Sequence, residues 1–145
     1  MGKPADNKMH SAEHLLNQAM VRRFDCGRCF TAHINPKKSK CDYRFDRALT
    51  SRDIEDIQND VNRIIEADLP VMIEEMPKEQ ALREFNLDRV PDMESMTHFR
   101  VVRMGDYDAC PCIGEHVVST GDIGRFVIIS TGFEENVLRI RFKLK

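Results

Sequence analysis

A chain of 145 residues is the usual size of one domain and long enough to bury roughly 70% of its unfolded surface. Apolar residues at 41% and charged residues at 32% fit a globular protein and exclude a disordered one. A net charge of −2 gives no global field for nucleic acid, no apolar run could cross a bilayer, and the polar start lacks a signal peptide's apolar stretch. The cytoplasm is therefore the expected compartment, with the five cysteines held as thiols or metal ligands.

In chain order, the first predicted element is a helix from about His10 to Phe24, where Ala12, Leu15, Leu16, Ala19 and Met20 recur on one side of the wheel. His10 and His14 fall roughly opposite that stripe, away from the helix's own core face. Glu13, on the same reckoning, projects away from both histidines, which makes it a solvated charge or, failing that, a weaker candidate for general base. After "CGRCFTAH" comes a strand around "CDYRFD". Then "LTSRDIEDIQNDVNRIIEADLP" carries the signs of a helix: Thr50 as cap, Leu49 stapled against Ile54, and Asp53 in the first turn. Ile54, Ile57, Val61, Ile64 and Ile65 form its buried face, and Pro70 ends it. A short third helix starts at Pro77 and runs through "KEQALREF". Further strands are expected at "PVMIEEM", "HFRVVRM", "RFVIIST" and "NVLRIRFKL". Strands outnumber helices and the last ones follow through short turns, so the expected fold class is α+β: a mostly antiparallel β-sheet with helices packed against it, one domain over residues 1–145.

Two clusters of cations stand out locally. "NPKKSK" holds Lys37, Lys38 and Lys40, and the last strand alternates Leu138, Ile140, Phe142 and Leu144 with Arg139, Arg141, Lys143 and Lys145. Strict period two lines the cations up on one face, either as a solubilising edge strand or as a track for a phosphate backbone.

The chemistry-bearing residues come in pairs. His10 and His14, four apart on a helix, share a face with Cβ atoms about 5–6 Å apart and so reach one ion without bending the backbone. Cys112 and His116 repeat the spacing, but Pro111 and Gly114 exclude a helix there; a turn across Gly114 folds them together instead. Three imidazoles and a thiolate make a zinc set. A rival set is Cys26, Cys29, His33 and Cys41, beginning with a C-x-x-C pair, though a strand-like stretch splays alternate side chains there. Cys110 stands beside Cys112 as a spare thiol or a replacement ligand.

"HSAEHLL", then "CDYRFD" followed by the capped helix and "ADLPV", then "CPCIGEHVVSTGDIG" and a terminal "LRIRFK", resemble in that order the editing domain of alanyl-tRNA synthetase and its free-standing relatives, the AlaX proteins. Threonyl-tRNA synthetases carry a related domain. The resemblance implies a zinc-dependent deacylase acting in trans, which hydrolyses the ester joining serine, and sometimes glycine, to tRNA for alanine. It implies His10, His14, Cys112 and His116 as zinc ligands, with Thr31 as the hydroxyl that favours serine over alanine. Relatives have two glycines and a threonine between the Cys and the His, where this chain has Ile113, Gly114 and Glu115, so Glu115 becomes an extra ligand or base to consider. With its first histidine at residue 10 the chain resembles a short form without an N-terminal domain.

A second site that destroys errors is needed because packing alone rejects a small side chain weakly. A pocket that bonds the serine hydroxyl leaves its own group unpaired with alanine, a loss of about 1–3 kcal/mol. Four ligands close a zinc site, whereas catalysis keeps a position open, so His10 or His14 serves as general base if one is displaced. Only the single-stranded end of an aminoacyl-tRNA partner must enter, so the cations at Lys37, Lys38, Lys40, Arg139, Arg141 and Lys143 suffice for a near-neutral protein. Two other classes stay open: a non-catalytic, zinc-held aminoacyl-tRNA-binding module, and a small-molecule metallo-esterase.

Overall fold

The computed structural model describes residues 7–85 and 93–145. In chain order it contains α1 (Asn7–Phe24), β1 (Thr31–His33), β2 (Ser39–Arg44), α2 (Ser51–Ala67), β3 (Val71–Pro77), α3 (Lys78–Glu84), β4 (His98–Met104), β5 (Asp108–Pro111), β6 (Phe126–Glu134) and β7 (Val137–Leu144), with short 3-10 turns at Met93–Ser95 and Thr120–Ile123. The strands form two antiparallel sheets, β1-β2-β7-β6 and β3-β4-β5. The fold is α+β, as the element pattern predicts. β1 and β5 are additions, too short to leave a period in the sequence.

The apolar period places the main core. Leu138, Ile140 and Phe142 of β7, Cys41 and Tyr43 of β2, and Phe126 and Ile128 of β6 all face Leu15, Leu16 and Met20 of α1 and Ile57, Val61 and Ile65 of α2. β4 serves two clusters, as a pleated strand must when both faces are covered. Val102 and Met104 join the main core, while Phe99 and Val101 pack with Met76 and Ala81 beneath α3. A two-residue turn with Glu135 at φ 49° and Asn136 at φ 63° closes the β6–β7 hairpin, a backbone twist suited to such short loops.

α2 matches its sequence signs. Thr50 caps it, Thr50 Oγ1 and the Asp53 carboxylate exchange bonds with each other's backbone N–H groups, and Asp68 ends it in the left-handed region. β7 differs from the edge-strand expectation, because it lies between β2 and β6 in the middle of its sheet. Its cations therefore face outward from a central strand, and Arg139 is already tied to Asp42 by two bonds of 2.8 and 3.0 Å.

α1 departs most from its wheel. The side opposite Leu15 and Leu16 is covered rather than solvated, so Ser11, Glu13, His14 and Asn17 are all buried. β5 and the segment after it lie over that side, which sequence periodicity within the helix could not register.

Candidate metal centre and cleft

His10 and His14 approach the site from α1, while Cys112 and His116 come from the loop after β5. That loop is anchored at both ends. Arg100 of β4 donates to the carbonyls of Cys112 (2.8 Å) and Gly114 (2.7 Å). Downstream, Thr120 Oγ1 donates to Ile64 O (2.7 Å) and accepts from Leu69 N (2.8 Å), pinning "STGDIG" to the end of α2. Gly114 is required where it stands, since a Cβ there would run into the His10 ring.

The four donor groups converge: one ligand atom from each of His10, His14, Cys112 and His116 lies within 4.8 Å of the others. Cys112 Sγ is 3.6 Å from His10 Nε2 and 3.4 Å from His116 Nε2. Outer partners orient the rings. Ser11 Oγ donates its single proton to Asn7 O (2.6 Å), so it can only accept from the Val117 N–H (3.0 Å) and from His116 Nδ1 (3.2 Å). His116 thus carries its proton on Nδ1 and turns the Nε2 lone pair toward Cys112. His14 Nδ1 lies 3.4 Å from Asp108 Oδ2, an ion-pair approach without the alignment of a hydrogen bond. Asp108 in turn is gripped by Arg28 (2.7 and 3.4 Å) and by Gln18 (2.8 Å).

The electrostatics agree with a cation site. Burial alone would raise the Cys112 thiol, but the surrounding imidazoles of His10, His116 and His14 outweigh it and bring it to about 3. Burial depresses His14, yet Asp108 and Cys112 more than reverse this, to about 9; burial keeps His116 below its ordinary value. One thiolate and three imidazoles whose sulfur and nitrogen atoms gather at one place are the donor chemistry zinc prefers, so these residues fit that ion.

Beside the four opens a cleft of about 700 Å³. It is lined by His10, Glu13, His14 and Asn17 of α1, by Arg28, Cys29 and Phe30 ahead of β1, and by Met96, Phe99 and Arg100. Glu13 belongs here, contrary to its expected solvated position: it is 6% exposed and its Oε1 is 3.5 Å from His10 Nε2. Residues three apart on a helix are neighbours, and the wheel reading missed this because it counted only the apolar stripe.

The rival cysteine set does not assemble. His33 is exposed on β1, and the Cys26 thiol points to Met20 O at 3.6 Å. Cys29 and Cys41 do come together, but with Glu13 rather than His33. Cys110 lines the cleft with its thiol pushed up to about 11, chiefly by burial. Thr31 follows the cleft-lining Phe30, but it pairs with Asp42 across β1–β2 and so shares the outer face with Asp42 and Arg139. It is not among the described residues lining the cleft. Lys37 and Lys38 are exposed in the β1–β2 connection, Lys40 sits opposite Arg141 on the outer face, and Lys143 is exposed further along it. Ile113 and Glu115 are both exposed on the metal loop, and Ile113 is among the residues lining the cleft. Sequence reasoning missed Ser11, Asn17, Arg28, Arg100 and Asp108, which show no local pattern because each partner is distant in the chain.

Comparison with known proteins bears on the same elements. Residues 99–141, which include Cys112 and His116, match the domain described as threonyl and alanyl tRNA synthetase second additional domain. The chain is 31% identical over 140 residues to the alanyl-tRNA editing protein AlaX-L of Pyrococcus horikoshii, covering 93% of this chain and 33% of that protein. It is 35% identical over 130 residues to an alanine–tRNA ligase of Leptospira biflexa (85% of this chain, 13% of the ligase). With threonine–tRNA ligase 1 of Bacillus subtilis it shares 29% over 131 residues (83% and 20%). The chain spans a third or less of the length of these relatives.

Proposed function

We propose that this chain, which belongs to the AlaX-type editing family related to the second additional domain of threonyl- and alanyl-tRNA synthetases, is a zinc-dependent deacylase of mischarged tRNA for alanine. The observation that carries the reading is the convergence of His10, His14, Cys112 and His116 beside a cleft of about 700 Å³, on a chain similar to an editing protein over nearly all its length. Zinc at these four residues would supply a Lewis acid for the ester carbonyl or for water. The chain's own residues do the rest. Ser11 holds His116 in orientation, Asp108 sets a negative charge beside His14, and Arg100 fixes the loop that carries Cys112. His10 or His14, where not held as a ligand, would be the base for the proton of water.

Seryl and glycyl esters are the proposed substrates. Thr31, on the outer face with Asp42, is not in place to meet the serine hydroxyl, so Thr31→Val is expected to leave the ratio of seryl to alanyl ester hydrolysis unchanged, and an eroded ratio would restore Thr31 to that role. Lys37, Lys38, Lys40, Arg139, Arg141 and Lys143 are the proposed cationic surface for the tRNA, with cytoplasmic translation as the setting. The decisive experiment is hydrolysis of seryl-tRNA for alanine by the zinc-loaded chain and by His14→Ala. Turnover by the first and none by the second is expected.

One observation favours a second reading. Four protein donors around one point make the closed set typical of structural zinc, which suits a module that binds aminoacyl-tRNA without cleaving it. Binding of seryl-tRNA with no release of serine would select that module.

A further inference from the structure

We infer that Phe30 is the stacking surface for the terminal base of the tRNA, so that the cleft recognises its ester through the adenosine that carries it as well as through the amino acid. The inference rests on the deacylase reading and names the part of the substrate that fills the cleft beyond the metal-ligand candidates. A cleft of about 700 Å³ lies in the range of drug-sized ligands, and a seryl or glycyl group fills little of it. It also runs on past the ion site. His10, His14, Asn17 and Val21 line it from α1, and from His14 to Val21 that helix rises about 10 Å. An ester carbonyl presented at the histidines therefore leaves room along α1 for the ribose and base on its alcohol side.

Phe30 stands beside that run. The Cys29 N–H donates to Asn17 Oδ1 (3.1 Å) and the Phe30 N–H donates to Asp42 O (3.0 Å), so the backbone here is pinned to α1 on one side and to β2 on the other. Two phenylalanines line the cleft among the described residues. Phe99 is 1% exposed and packed with Met76 and Val101, whereas Phe30 is half-buried and has ring surface to offer. The back of that ring is already filled. The Arg44 guanidinium lies over it, with its carbon 4.0 Å from the ring centroid, and Arg44 is exposed and not among the described residues lining the cleft. The side that meets the cleft is left for a second flat group, and the nucleobase is the flat group this substrate brings. Stacking on an aromatic ring uses the π-face of a base and asks nothing of its edges, so one ring suffices for the purpose.

The test compares seryl-tRNA for alanine with the same seryl-tRNA ending in a base-free ribose. Both are given to the zinc-loaded parent, to Phe30→Leu, which keeps apolar bulk without the flat ring, and to Phe30→Tyr, with zinc content measured for all three. The parent is expected to show a KM about 5–100-fold lower for the complete ester, the range of one base stacked on an aromatic ring. Phe30→Leu is expected to keep its zinc and its ratio of seryl to alanyl ester hydrolysis while that KM advantage shrinks toward one, and Phe30→Tyr is expected to retain the advantage. An advantage that survives in Phe30→Leu, or a loss that appears instead as a changed seryl-to-alanyl ratio, would assign Phe30 to packing or to the amino-acid side chain and overturn the inference. Equal KM values in the parent overturn it while the deacylase reading stands. If neither ester is cleaved, the deacylase reading falls alone, and the ratio of the two binding constants in parent and Phe30→Leu decides the stack by the same criterion. Should Phe30→Leu fail to fold, Phe30→Met, equally without a ring, takes its place.

Discussion

The two long helices obey different rules. α2 buries four of its 17 residues, mostly along an apolar stripe, and leaves its charges in water. α1 buries ten of 18, and Ser11, Glu13, His14 and Asn17 are among them. A surface helix is held by one face and needs little else. A helix buried on its polar side as well must find a partner for every polar group there, and in α1 those partners are what align the candidate metal site and the cleft. The difference separates residues that hold the fold from residues that hold the chemistry, and mutations in each helix should therefore fail in different ways.

The largest effect is expected where α1 meets the metal loop. Cys112→Ala removes the thiolate at the centre of the imidazoles and should abolish tight zinc binding, measured as metal per chain after dialysis. Equal zinc content in variant and parent would detach α1's buried polar side from any metal. The counterpart in α2 is Ile57→Ala, at a fully buried position, which should cost about 2–5 kcal/mol of unfolding free energy in urea. Its zinc content should stay that of the parent. A variant at Ile57 that lost metal but kept stability would erase the distinction between the helices.

Asp108→Asn sharpens the comparison. Asp108 lies beside His14 and, together with Cys112, favours its protonated form, which brings that imidazole to about 9 despite burial, so zinc must displace a proton below that value. Zinc affinity of the parent should therefore climb with pH up to about 9. Measured above that point, where the proton no longer competes, Asp108→Asn should weaken zinc about 10–100-fold through loss of the negative charge behind the ring. Competition with a chelator of known affinity reads both effects. A flat pH profile in the parent would mean that Asp108 does not govern His14.

The same contrast explains how much could be foreseen. In α2 the cap, the staple position, the apolar period and the stop before Pro70 are local, so a window of about twenty residues contains the whole argument. The pairs His10/His14 and Cys112/His116 were legible as pairs because each spacing is local, and their meeting followed from the chemistry of the set. What covers α1's polar side lies about a hundred residues away, and no periodicity within Asn7–Phe24 can announce it. Glu13 therefore looked solvated and Asp108 looked like nothing at all. β7 illustrates the same limit: its alternation gave the faces correctly, but its place between β2 and β6 depends on pairing order, which alternation does not encode.

The smallest expected effects belong to the start of α2, where they test whether its stability is local. Thr50→Ala removes the acceptor for Asp53 N–H and should cost about 1 kcal/mol in urea unfolding, with zinc content unchanged. Asp53 completes the box from the other side. Its Oδ2 accepts from Arg47 at 2.6 Å and from Thr50 N–H at 2.8 Å, and these, the guanidinium first, lower its carboxyl to about 2. A carboxyl depressed in the folded state stabilises fully above its unfolded value of about 4 and ceases to do so as pH falls through the folded value. Asp53→Asn should therefore unfold at lower urea than the parent at pH 7, and the gap should close between about pH 4 and pH 2. Because the pair is close to the surface, the gap should also shrink in high salt. A gap that persisted at pH 2 would show that the side chain's shape, not its charge, secures the helix start.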